Sequence, residues 1–190
     1  MNMKELVTKT RSYRRFKQEP VSEKTLRELV DLARCTASQK NCQPLRYILS
    51  CDEETNGKIF PALMWAANLK EWPGPAADEK PTAYIVILGD TTVSPAFAPD
   101  EGITAQTILL GAMEKGIGGC MLGALNRKML FEVLNIPHQY KILLVLALGV
   151  PGEEVVIEDL PEDGATAYYR DENDIHHVPK RKLDDLIVSF

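Results

Sequence analysis

The chain has 190 residues, 45% of them hydrophobic and 26% charged, with a formal net charge of -5. That length suits one well-buried domain and is short for two, and the acidic balance excludes a broad basic face for DNA or RNA. The longest apolar run, Ile142 to Leu148, falls far short of the ~20 residues that a membrane-spanning helix needs.

The first segment runs against the overall charge. Lys9-Thr10-Arg11-Ser12-Tyr13-Arg14-Arg15-Phe16-Lys17 carries five cations in nine residues and no carboxylate. A solvated element end carries such a run as often as not. The functional reading is a phosphate gripped by forked guanidinium donors, with the Ser12 hydroxyl between them and Phe16 anchoring the segment to a core. Ser22 then reads as an N-cap for a helix to about Arg34 or Cys35, with Leu26, Leu29, Val30 and Ala33 at helical spacing.

Thr36 to Pro44 is a polar loop, followed by a predicted strand, Arg46 to Cys51. Most such loops only connect elements. Its alternative use lies in Ser38-x-x-Asn41-x-Gln43, whose amides donate and accept at once and so suit a heterocycle with alternating N–H and C=O groups. Residues 54 to 70 predict one or two short helices interrupted at Pro61, and Trp72-Pro73-Gly74-Pro75 breaks the pattern.

Ala83 to Leu88 predicts a buried strand, and Asp100 is expected to cap a helix carrying Ile103, Thr107, Leu110 and Met113. Gly118-Gly119-Cys120-Met121-Leu122-Gly123 predicts a glycine-rich turn, read either as a tight connection between helix and strand or as a backbone N–H brought close to a flat ring. It lacks the G-x-G-x-x-G spacing of a dinucleotide fold. Asn126 opens a further helix through Leu134, and Ile142 to Gly149 is the clearest strand, expected to be central. From residue 151 onward the chain reads as a polar tail, with a short edge strand at Tyr168 to Arg170, a second basic island at Lys180-Arg181-Lys182 and a short helix from Leu183. Such a tail is expected to pack on a twin subunit.

Strands and helices intermingle, so the class is α+β or α/β in one domain over residues 1–190. The cysteines at 35, 42, 51 and 120 form no C-x-x-C pair. They are expected to be reduced and mostly buried, in a cytoplasmic protein without a secretory leader. His176-His177 tempts a metal assignment but has no further ligands at helical spacing, so no metal is expected. Signatures of acyl transfer and nucleotide hydrolysis are missing from the sequence.

One ordered set of motifs resembles the nitroreductase family of FMN enzymes. It comprises Arg11-Ser12-Tyr13-Arg14-Arg15-Phe16, Ala33-Arg34 through Ser38-x-x-Asn41-x-Gln43-Pro44, and Asp100-Glu101-Gly102-Ile103-x-Ala105-Gln106. It continues in Gly116-Ile117-Gly118, Ala147-Leu148-Gly149-x-Pro151 and Pro179-Lys180-Arg181-x-Leu183, so that it spans roughly residues 3 to 187. The resemblance implies an α+β three-layer sandwich, a mixed central sheet flanked by helices, in an intertwined homodimer with FMN at the subunit interface.

Carried over by position, Arg11, Ser12, Lys180 and Arg181 are the expected phosphate ligands. Arg14 is expected at the N1–O2 edge of the flavin or its ribityl chain, with Tyr13 in the same cofactor-binding run. Ser38, Asn41 and Gln43 correspond to the loop lent by the partner subunit, and Met121, Leu122 and Gly123 to the backbone facing the ring near N5. NADH or NADPH would supply hydride, and a nitroaromatic, quinone or similar electrophile would take it. The flavin does the chemistry in such enzymes, so no catalytic side chain is expected. The family's aromatic residue after the Q-P pair is Leu45 here, its loop proline is Ala37, and Asn68 and Lys70 fall where many members contact the flavin edge. The alternatives are a non-catalytic FMN-binding or storage protein, or a related flavin chemistry on the same scaffold, reductive dehalogenation or flavin breakdown.

Overall fold

The longest run of apolar residues becomes the organising strand. In the computed structural model, which describes residues 1–188, β5 (Tyr140–Pro151) spans twelve residues and serves three neighbours. Along one edge it pairs antiparallel with β3 (Ala83–Asp90), Tyr84 facing Ala147 and Ile85 facing Leu146. Along the other it takes β4 (Gly118–Leu122), and the two-residue β1 (Phe16–Lys17) pairs with its end at Val150 and Pro151. β2 (Leu45–Ser50) completes the sheet against β3.

Alternation along β3 separates two cores. Ala83, Ile85 and Ile87 face α2 (Glu23–Arg34) and α4 (Asp100–Glu114), meeting Leu26, Leu29, Ile108 and Ala112. Tyr84, Val86 and Leu88 face the other way, toward Ile59 at the end of α3 (Glu53–Ile59) and Leu130 of α5 (Arg127–Val133). A strand covered on both faces needs apolar residues at every position, which is why β3 is buried throughout. The result is the expected α+β sandwich of helix, sheet and helix.

Four expectations need correction. The central sheet is antiparallel between all its strands, with parallel character only at one bridge, Ser12 to Gly119. The 118–122 segment is a strand rather than a turn: glycine let the chain come close to its neighbours, and a Cβ on Gly119 would lie 2.6 Å from Leu109 Cδ2 and 2.8 Å from the Ala147 carbonyl. Asp100 does not cap α4; it is the first helical residue, and its carboxylate serves the Ser38 loop instead. Cys35 and Cys42 are exposed, because both lie beyond the apolar face of α2.

The tail is also more structured than its polar composition implied. β6 (Val155–Asp159) and β8 (His176–Lys180) pair in parallel, with β7 (Tyr169–Arg170) antiparallel beside them. This small sheet folds back on its own chain through charged and aromatic side chains rather than an apolar core. The remaining helix, α1 (Met3–Lys9), has a complete capping box on Asn2 and Glu5 and buries none of its residues. Among the described residues no helix is long and apolar enough to cross a membrane.

Candidate functional site

The basic island runs beside β4. Tyr13 donates its N–H to the Gly119 carbonyl at 3.0 Å, which fixes the segment along the sheet edge. Its ring packs on Gly118 and its hydroxyl donates to the Lys9 carbonyl at 2.9 Å, so Tyr13 braces the island rather than lining its cavity. Burial pushes the phenol up, offset in part by Arg11.

Arg11, Ser12 and Arg14 open into a cavity of about 280 Å³, shared with Gln106 and Leu109 of α4, Met121 of β4, and Tyr168, His176 and Lys180 from the small sheet. Three cations, a hydroxyl and an amide thus converge there, the donor set that a phosphate-bearing polar ligand requires. Arg11 donates to the Val7 carbonyl at 2.9 Å, and burial lowers its pKa. Nε of Arg11 and Nε of Arg14 are buried without a partner among the described residues.

Arg14 is 8% exposed and is fastened by the small sheet. Its Nη1 donates to the Ser12 carbonyl and to Nε2 of His176, each at 3.2 Å. Its guanidinium lies 4.7 Å over the Tyr168 ring centroid, a cation–π contact. The backbone N–H groups of Arg14 and Arg15 both donate to Oε1 of Glu153, whose other oxygen takes Arg170 at 2.6 Å. Sequence reading missed Glu153 and Tyr168, and considered His176 only as a metal ligand. Nothing local marks them, since their roles depend on a sheet whose strands are scattered over residues 155–180.

His176 and His177 are neighbours with opposite surroundings. His176 is held down to about 4, first by burial and then by the cations Arg14, Arg170 and His177. His177 is raised, chiefly by Glu158, which accepts from its Nδ1 at 2.8 Å, and also by Asp171. For His176 the unfolded chain, titrating near 6.5, binds its proton first as pH falls. Stability is therefore lost between about 6.5 and 4, by about 2 kcal/mol at pH 5. His177 works in the other direction, its contribution present in acid and lost as pH rises through its raised folded value. Thermal unfolding of the ligand-free protein from pH 7 to 5 is expected to show a smaller fall in Tm for His176→Gln than for the wild type.

The polar loop lies elsewhere in the chain. Ser38 Oγ donates to Asp100 Oδ2 and accepts the Gln43 N–H at 2.9 Å, while the Gln39 N–H donates to Asp100 Oδ1 at 2.9 Å. Asp100 is 3% exposed, so the loop is tied to a buried anchor. Lys40, Asn41 and Gln43 all have positive φ, 52°, 54° and 51°. Such conformations cost about 1–3 kcal/mol each outside glycine, less for Asn, and persist when surroundings over-determine them.

Ser38 and Gln43 line a second cavity of about 420 Å³ with Arg34, Arg46, Tyr47 and Thr104. Asn41 supports Gln43 by accepting from its Nε2 at 3.2 Å. One chain therefore brings Arg11, Ser12, Arg14, Met121 and Lys180 together, and keeps Ser38, Asn41 and Gln43 apart from them. Leu122 turns its side chain into the opposite core. Gly123 accepts from Arg127 Nη2 at 3.1 Å, and Arg181 is exposed just beyond β8. The Asn68 N–H reaches the Tyr168 hydroxyl at 3.4 Å, which places its loop over the same rim.

Comparison with known proteins agrees with this architecture. A protein of Archaeoglobus fulgidus named "Putative NADH dehydrogenase/NAD(P)H nitroreductase" is 29% identical over 152 residues, covering 76% of this chain and 82% of its own. A nitroreductase family protein of Clostridium novyi NT superposes with a TM-score of 0.67 at 26% identity, over 80% of this chain and 87% of its own. A "putative nitroreductase in complex with fmn" from Desulfovibrio desulfuricans matches 100% of this chain and 97% of its own, with a TM-score of 0.70 at 18% identity. The nitroreductase family model matches residues 7–150, from the basic island through the central strand, and the chain belongs to the nitroreductase family.

Proposed function

We propose that this protein is an FMN-dependent oxidoreductase that passes a hydride from NADH or NADPH to a nitroaromatic, quinone or similar small electrophile. The observation that carries this reading is the convergence of Arg11, Ser12, Arg14, Met121 and Lys180 on one cavity, from segments far apart in sequence. The donor set fits FMN: Arg11, Ser12 and Lys180 would take the phosphate, and Arg14 would face the flavin edge or ribityl chain. FMN, when bound, supplies the electron-carrying ring; the protein supplies cations that favour its anionic reduced form. The FMN complex of the Desulfovibrio protein, which shares this fold, supports the same assignment.

A homodimer completes the site. A volume of about 280 Å³ lies at the lower limit of ligand cavities, about 300–1,000 Å³, and Ser38 and Gln43 open elsewhere on the protomer. A second copy would bring that loop to the flavin. It would also cover the apolar side chains left exposed at both ends of the chain, Met3 and Val7 in α1 and Leu183, Leu186, Ile187 and Val188 in the tail. The four free cysteines support a reducing, cytoplasmic setting.

The test is the visible spectrum of freshly purified, desalted protein, followed by release of the chromophore. Flavin bands with FMN released, and NAD(P)H oxidation stimulated by menadione or a nitro compound, are expected. A colourless protein that also refuses added FMN would overturn the reading.

A further inference from the structure

Arg14 is gripped by a residue that is itself left short of a partner. His176 is 1% exposed, and its Nε2 lies 3.2 Å from Arg14 Nη1. A guanidinium only donates, so Nε2 is the acceptor and the neutral ring carries its proton on Nδ1. That Nδ1 is buried with no partner among the described residues. An unmatched buried donor is a cost that an apolar side chain of similar size would avoid. Retaining it makes sense where the other nitrogen has a task.

The surroundings show what the task is. The Tyr168 ring lies 5.2 Å from the His176 ring and 4.7 Å from Arg14 Cζ, so the three groups form one wall of the 280 Å³ cavity. Tyr168 backs the flat of the guanidinium, and His176 sets its direction by taking one N–H. The Ser12 carbonyl takes the same nitrogen at 3.2 Å, so two acceptors hold one terminal nitrogen of the guanidinium and fix its plane. Burial and the neighbouring cations keep the imidazole unprotonated, so it remains an acceptor at neutral pH.

We propose that His176 is a positioning residue for the flavin, holding the Arg14 guanidinium in the orientation in which it meets the bound cofactor. The inference rests on the FMN reading above. It adds a role for a residue that touches the flavin's ligand rather than the reacting atoms.

The experiment titrates FMN into flavin-stripped full-length protein, with Tm recorded for each variant: wild type, His176→Phe, His176→Gln, Arg14→Ala and Arg14→Ala/His176→Phe. Phe keeps the ring against Tyr168 and removes the acceptor, whereas Gln keeps an acceptor oxygen. His176→Phe is expected to bind FMN about 10- to 100-fold more weakly, the loss of one charge-assisted hydrogen bond. His176→Gln is expected within about threefold of wild type, and the double variant no weaker than Arg14→Ala alone. His176→Ala takes the place of Phe should Phe not fold. Wild-type affinity in the Phe or Ala variant, failure of a folded Gln variant to restore binding, or additive losses would each overturn the proposal. A wild-type protein that does not bind FMN overturns the cofactor reading and the proposal with it; binding by wild type with an indifferent His176 overturns the proposal alone.

Discussion

Arg11→Ala combined with Lys180→Ala is expected to weaken FMN binding by about 100-fold or more, from the loss of two charge-assisted contacts at about 1.5–3 kcal/mol each. Both side chains line the cavity, one from the N-terminal island and the other from the last strand of the small sheet. They meet the same part of the ligand in the proposed complex, so the double loss should fall chiefly on the phosphate. Riboflavin, which lacks the phosphate, should then bind the double variant almost as well as it binds the wild type. A fluorescence titration with both flavins separates this from a general disturbance of the site.

A charge control sharpens the comparison. Arg27 is an exposed cation on α2, paired among the described residues only with Glu23 one turn away. Its removal changes net charge as much as either single substitution but lies outside the cavity, and surface pairs of this kind contribute little. Arg27→Ala is expected to leave FMN affinity within about twofold. A double variant that stays yellow after desalting would show that the basic island is surface charge.

Part of this site was legible in the chain and part was not, for a physical reason. The island at Arg11 to Arg14 stood out because it concentrates cations locally, against a chain of formal charge -5. β3 and β5 stood out because a strand covered on both faces must be apolar throughout. β4 did not, because its glycines read as a turn; their small size in fact admits Tyr13 and Leu109 close to the strand. Asp100 read as a cap because acidic residues open helices, and only the folded chain shows its carboxylate turned to Ser38 and Gln39.

The polar tail was the hardest to read. Its small sheet is stabilised by pairs such as His177 with Glu158, and by His177 stacked on Tyr169 at 4.7 Å. Those residue types carry no periodic apolar signal, and composition alone reports them as solvated. Glu153 shows the difficulty most clearly. It is one of two adjacent glutamates after a strand, with nothing local to distinguish it from Glu154. Yet the fold gives it three donors from both ends of the chain.

That concentration predicts a large stability effect. The Glu153 side chain is 2% exposed and accepts the N–H groups of Arg14 and Arg15 together with the Arg170 guanidinium, itself only 10% exposed. Glu153→Ala would leave two backbone donors unmatched and the largely buried Arg170 with only the longer 3.6 Å contact to Asp174, at a cost of about 3–5 kcal/mol. In a chain of this size that lowers Tm by roughly 10 °C. Glu153→Gln would rescue little, because one end of its amide would turn donors toward the donors of Arg170. Pairing Glu153→Gln with Arg170→Met removes that conflict and is expected to recover stability relative to Glu153→Gln alone, by an amount that thermal unfolding of the double-mutant cycle measures. A Glu153→Ala protein within about 0.5 kcal/mol of wild type would mean that the small sheet does not depend on this carboxylate. The backbone of Arg14 would then be held through its neighbours, Tyr13 on the Gly119 carbonyl and the Arg15 carbonyl on the Gly152 N–H, and FMN affinity should be unaffected. If the carboxylate is the anchor, stability and FMN affinity should fall together, because the same side chain that joins the tail to the core also sets the backbone from which Arg14 reaches the cavity.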